Sequence, residues 1–282
     1  AENEESYKEI QKLLDIDEYI NYMAVELYVG NWDWPQNNVK GFRDVNDGRF
    51  RFVRFDLDGA FSTSTPFNTF FGKQNYTFDS LHGFDHSLNM NMSGTRRNDE
   101  IKFVTLFKNM LKNTTFRKKF IDTFCIVGGA IVQSSHVKRI IDEMSSYLST
   151  GGHVDPYGTA NDIKNNFTLS YNKNMMNQLK SCSDMKLSST ARQSVSISTN
   201  TTGAKLLIND TEVPYSEFNG YLFAPITVKA EAPAGYKFIG WTSDGTTKRE
   251  TIFDMGSNWN YYDQGSLDGS NWTGRFYSDT QW

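Results

Sequence analysis

Gly30-Asn-Trp-Asp-Trp-Pro-Gln-Asn-Asn-Val-Lys-Gly-Phe-Arg-Asp-Val-Asn-Asp-Gly-Arg-Phe-Arg-Phe-Val-Arg-Phe-Asp-Leu-Asp-Gly-Ala-Phe61 concentrates acidic and amide side chains on loop-forming sequence between aromatics. Upstream, Asp15 and Asp17 mark a helix start, and Ile16, Ile20, Met23, Ala24, Leu27 and Tyr28 keep helical spacing up to a terminating Gly30. Residues 31–38 read as a loop pinned by Trp32 and Trp34. Val39 to Arg43 and Arg49 to Phe55 alternate about Asn46-Asp47-Gly48, a hairpin signal. Phe50 and Phe52, with Val53 and Phe55 as further candidates, are expected to face inward, and Arg49, Arg51 and Arg54 outward. Asp56 and Asp58 then lie just past a strand whose partner is tied to the Asp33 loop.

A loop Asp, an Asn five positions on, a hairpin and a second Asp suit phosphoryl transfer to a hydroxyl. One carboxylate orients the attacking oxygen, while an amide oxygen and another carboxylate hold divalent metal on the phosphates. Asp33 and Asn38 have the D-x-x-x-x-N spacing of a protein-kinase catalytic loop, and Asp56 follows the next hairpin. Two other readings compete. Phe55-Asp-Leu-Asp-Gly59 matches the nucleophile motif of haloacid-dehalogenase-type phosphatases, but that motif ends a buried parallel strand, and Arg49 to Arg54 alternates charge. Asp, Asn and Gly also simply make turns and cap helices.

Asn31 to Phe61 resembles the spore-coat protein H (CotH) kinase family, which carries a helix, an Asn-x-Asp followed by Asn, a hairpin and an acidic signature. The similarity continues through Leu106-Phe-Lys-Asn-Met-Leu-Lys-Asn113 to about Lys186. The resemblance implies an atypical protein kinase that uses ATP and Mg2+ or Mn2+ to phosphorylate Ser or Thr hydroxyls of surface or secreted proteins. Asp33 would be the catalytic Asp, and Asn38 and Asp56 metal ligands with Asp58 assisting. Asn37, Lys40, Arg96 and Arg97 are added as substrate or phosphate contacts. Pro35 stands where protein kinases carry a Lys two after the catalytic Asp. No Gly-rich loop and Lys precede Asp33, so the chain is expected to hold the helix-rich C-terminal part of the domain without its ATP-gripping lobe.

At 282 residues the chain is long enough for one large or two ordinary domains. A net charge of −4 supplies no basic field, so no nucleic-acid partner is expected. Cys125, in an apolar context, and Cys182 leave pairing open, and His82, His86, His136 and His153 lack metal-ligand spacing. The longest apolar stretch, around Phe124 to Val132, is too short to span a bilayer. Polar residues 62–98 read as a long loop in the place of an activation or substrate-binding segment. Helices are expected at Asp99–Leu111, Thr114–Val132, Ser135–Leu148 and within Ala160–Met185, with Thr114-Thr115 and Ser134-Ser135 as cap candidates.

Composition changes near Ser188. Short segments at Val195, Ala204, Gly220, Ile226 and Tyr236–Trp241 read as strands of a small antiparallel β-sandwich resembling a bacterial surface repeat, on Ala232-Pro233 through Trp241. The aromatic tail resembles the start of a sugar-binding jelly roll. The expected organisation is α+β: a kinase-like domain at 1–187 with a catalytic hairpin, a linker at 188–194, a sandwich module at 195–252 and a β module or tail at 253–282. The expected setting is secreted or cell-surface. The alternative function is a non-catalytic surface protein that binds glycan.

Overall fold

The computed structural model describes residues 3–31, 34–35, 38–57, 60, 103, 105–152, 159–166, 169–243 and 266. Among the expected features, Asp33, Asn37, Asp58, Arg96, Arg97, the loop 62–98 and all of the tail 253–282 but Ser266 lie outside these residues. The chain divides into two units, Ala1–Phe238 and Ile239–Trp282; the architecture that follows belongs to the first.

Helices α1 (Glu4–Leu13) and α2 (Ile16–Val29) open the fold. Asp15 caps α2, its carboxylate accepting from the Glu18 N–H at 3.3 Å, and Gly30 closes it in the left-handed region at φ 63°, where a Cβ would be strained. Tyr19, Tyr22, Met23, Ala24 and Tyr28 are fully buried. Burying a large apolar side chain contributes roughly 1.5–3 kcal/mol, so α2 is held by packing far more than by helix propensity. The neighbours are aromatic: Tyr19 meets Phe107 and Phe116, and Tyr22 stacks on Phe52 at 5.3 Å.

Strands β1 (Lys40–Arg43) and β2 (Phe50–Val53) form the expected antiparallel hairpin, Phe42 opposite Arg51. Its faces differ from expectation. Of the four apolar residues Phe50, Phe52, Val53 and Phe55, only Phe52 packs against the core; Phe50 is 46% exposed and Val53 42%. Arg51 is not simply outward: its guanidinium binds Asp15, Asp44 and Asp47 at 2.6–2.9 Å.

Beyond the hairpin come α3 (105–111), α4 (Thr114–Ile126), α5 (Ser134–Thr150), α6 (Thr159–Asn166) and α7 (Leu169–Ser181). The cap of α4 is Asn113, one residue before the expected Thr114, and its Oδ1 accepts from Phe116 N–H at 3.0 Å. The α5 cap is Gln133, without a side-chain bond. Between α4 and α5, Val127–Ile131 widens into a π-helical turn. There a Cβ on Gly129 would fall 2.3 Å from the Phe218 ring, and one on Gly220 would fall 2.8 Å from Gly129 Cα, so both positions require glycine for helix and strand to meet.

The strands are β3 (Arg192–Ser198), β4 (Lys205–Ile208), β5 (Thr211–Val213), β6 (Glu217–Phe223) and β7 (Val228–Glu231). They make a two-stranded sheet, β3-β6, and a three-stranded one, β5-β4-β7, all antiparallel. Leu206, Ile208, Val213, Phe218 and Leu222 belong to the same buried cluster as Tyr28, Phe124 and Met176, so the core runs on across residues 188–194 without a break. Residues 236–241 do not form the expected strand. The fold class is α+β. Cys125 and Cys182 are free thiols, and Cys125 Sγ sits 3.6 Å from Met176 Sδ. No single described helix is long and apolar enough to cross a membrane.

Candidate active site

The hairpin is tied to the first turns of α2. Asp15 N–H donates to the Phe50 carbonyl at 3.0 Å, and the Phe52 N–H donates to Glu18 Oε2 at 3.0 Å. Salt links from Arg51 to Asp15, Asp44 and Asp47 hold the turn, and Arg49 and Arg51 keep the Asp47 carboxyl well below the usual carboxylate range. With its start fixed there, β2 runs alongside α2 and delivers residues 54–57 beside the helix's C-terminal end.

At that point two asparagine amides converge on one carbonyl. Asn38 Nδ2 lies 3.4 Å and Asn31 Nδ2 3.5 Å from the Asp56 carbonyl oxygen. Asp56 itself adopts φ 57°, a left-handed conformation that Asp and Asn tolerate better than most residues, and its side chain is exposed. Trp34 is 5% exposed, and its indole N–H donates to the Tyr22 hydroxyl at 2.7 Å. Lys40 lays its ammonium 4.0 Å from the centre of the Phe55 ring.

Of the residues expected from sequence, the structure therefore brings together Asn38 and Asp56, with Lys40 nearby on β1. Asp33, Asn37, Asp58, Arg96 and Arg97 fall outside the described residues. Asp56 and Asn38 offer a carboxylate and an amide oxygen, hard donors of the kind that Mg2+ and Mn2+ take, and so fit such an ion. No cluster of three or more His, Cys, Asp or Glu with metal-binding geometry occurs among the described residues. The phosphatase reading does not fit: β2 is an antiparallel, partly exposed strand of a two-stranded hairpin, not a buried parallel one.

Sequence reasoning passed over Glu26. It is 1% exposed, and its Oε2 accepts from Asn31 Nδ2 at 3.0 Å. Burial pushes its carboxyl up to about 7, against the opposing pull of the Asn31 hydrogen bond and the Arg54 charge. The available signal was spacing: Glu26 stands four after Tyr22 and three after Met23, on the stripe that α2 turns inward.

Helix α2 and a hairpin that returns Asp56 to the side-chain amides of Asn31 and Asn38 make up the described part of the site. A family model described as CotH kinase protein matches residues 1–182, and the chain belongs to that family. No curated protein and no solved structure gives a match.

Proposed function

We propose that this protein is an ATP- and divalent-metal-dependent phosphotransferase acting on Ser or Thr hydroxyls of surface or secreted proteins. The observation that carries the reading is the hairpin's return of Asp56 to Asn38, eighteen positions apart in sequence, with the Asn38 amide on the Asp56 carbonyl. In this reading Asp33 accepts the proton of the substrate hydroxyl as its oxygen attacks the γ-phosphorus. The bond from that phosphorus to the β,γ-bridging oxygen breaks, and ADP departs. Asn38 and Asp56, with Asp58, would hold Mg2+ or Mn2+, which when bound neutralises charge spread over the transferring phosphoryl group. Asn37, Lys40, Arg96 and Arg97 are assigned to phosphate or substrate. Lys40 would have to leave the Phe55 ring to do so, a cost of about 0.5–1 kcal/mol at an exposed site. The resemblance of residues 195–252 to a surface-repeat module supports a secreted or cell-surface setting.

The test is transfer of labelled γ-phosphate to a Ser/Thr-containing protein by the full-length protein with Mn2+. Transfer that Asp33→Ala reduces at least about a thousandfold supports the reading. Equal transfer by Asp33→Ala refutes the catalytic assignment, and retention on immobilised glycan with no transfer at all would favour the non-catalytic alternative.

A further inference from the structure

The site's most costly feature is one that the phosphotransfer reading leaves unused. Removing a carboxyl from water is unfavourable, and a leucine at position 26 would suit the inward stripe of α2. The helix end does not need the Glu26 side chain, because Gly30 N–H and Asn31 N–H both already bond the Glu26 backbone carbonyl. What the side chain does reach is Asn31 Nδ2, at 3.0 Å, and that same nitrogen lies 3.5 Å from the carbonyl of Asp56. Asn31 is 5% exposed, so neither partner exchanges this contact for water at low cost. Among the described residues Glu26 Oε1 and Asn31 Oδ1 meet no hydrogen-bond partner, and the contacts that orient the amide are those with Glu26 and Asp56. Tyr22 and Arg54 are the other titratable groups that act on Glu26.

We propose that Glu26 is a positioning residue: acting through the side-chain amide of Asn31, it fixes the left-handed backbone turn at Asp56 and so sets where the Asp56 carboxylate stands. A carboxylate acceptor aligns the amide so that its remaining N–H points across to Asp56, twenty-five positions along the chain from Asn31. The left-handed φ of Asp56 is the conformation with most to gain from an external hold, since an L-residue there carries a steric penalty. The role in metal placement rests on the phosphotransfer reading; the hold on the turn does not.

The experiment uses the full-length protein with Glu26→Leu and Glu26→Gln. Hydrogen exchange is followed on peptides covering residues 50–57 without nucleotide, and the Mn2+ concentration for half-maximal ATP binding is measured in parallel. Glu26→Leu is expected to speed exchange at 54–57 about tenfold while α4 is unchanged, and to raise the Mn2+ requirement about tenfold, the low end of what loss of an outer-shell partner costs. Glu26→Gln, whose side-chain oxygen accepts the same bond, is expected to restore both. If Glu26→Leu folds poorly, Asn31→Ala supplies the same two readouts with Glu26 in place. Unchanged exchange at 54–57 in the severed variants overturns the proposal. Absence of Mn2+-dependent ATP binding by the unsubstituted protein refutes the phosphotransfer reading alone, and the exchange rates still decide whether Glu26 holds the turn.

Discussion

Glu26 is a buried helix carboxyl and Asp122 a half-buried one, and each is met by one asparagine amide, yet the two clamps end differently. Asp122 on α4 accepts from Asn209 Nδ2 at 2.9 Å, and Asn209 Oδ1 in turn accepts from the Thr227 N–H at 2.8 Å, so the amide uses both its ends to pin the sheet to the helix. Glu26 accepts from Asn31, but Glu26 Oε1 and Asn31 Oδ1 have no hydrogen-bond partner among the described residues. Burial lifts the Asp122 carboxyl to about 6 and that of Glu26 to about 7. One clamp is a satisfied joint between helix and sheet. The other keeps spare polar capacity beside the loop to which the proposed chemistry is assigned, and a buried polar atom left unsatisfied in a folded protein calls for such an explanation.

The largest stability effect is expected on the sheet side. Phe218→Ala, which empties the ring packed on Gly129, should cost about 3–5 kcal/mol in denaturant unfolding and leave ATP binding by the folded fraction unchanged. Next is the pH dependence at Glu26. Its folded value lies above the ordinary 4.5, so the folded state holds the proton more tightly, and stability falls as pH rises from about 4.5 through 7, by roughly 3 kcal/mol in all. Asp122, lifted to about 6, adds a decline of its own below that pH, so the share of Glu26 is read between about pH 6 and 7. There thermal melts of Glu26→Gln should decline less than those of the unsubstituted protein; an equal decline would show that Glu26 is not its source. Asn209→Ala should cost about 1–2 kcal/mol, since it frees the Asp122 carboxyl and the Thr227 N–H together, with no change in Mn2+ requirement. A raised requirement there would erase the difference between the two clamps. The smallest effect belongs to an exposed carboxylate: removing the Asp17 partner by Lys119→Ala should cost under about 1 kcal/mol.

Local rules made the α2 boundaries and the hairpin turn legible. Asp15 and Gly30 act as caps through their own backbone geometry, and Asn46-Asp47-Gly48 reverses the chain with no help from the core. The pairing of Asn38 with Asp56 was legible for the same reason, because a short hairpin brings its two ends together. Glu26 was not, since its role depends on Asn31 and on a carbonyl beyond the hairpin, contacts that exist only once β2 lies along α2. The apolar periodicity of α4 also ran smoothly through Val127 in sequence, whereas the chain widens there so that Gly129 and Gly220 meet backbone to backbone. Likewise the composition shift near Ser188 suggested a break, while Phe218 and Leu222 bury themselves in the helical core.

Calorimetric titration of ATP with Mn2+ into the full-length protein and its Asp56→Ala and Asp33→Ala variants decides whether Asp56 holds the metal on the nucleotide. Saturable, Mn2+-dependent binding that Asp56→Ala abolishes and Asp33→Ala spares is expected; binding of equal strength by Asp56→Ala, or none by the unsubstituted protein, would overturn the phosphotransferase reading.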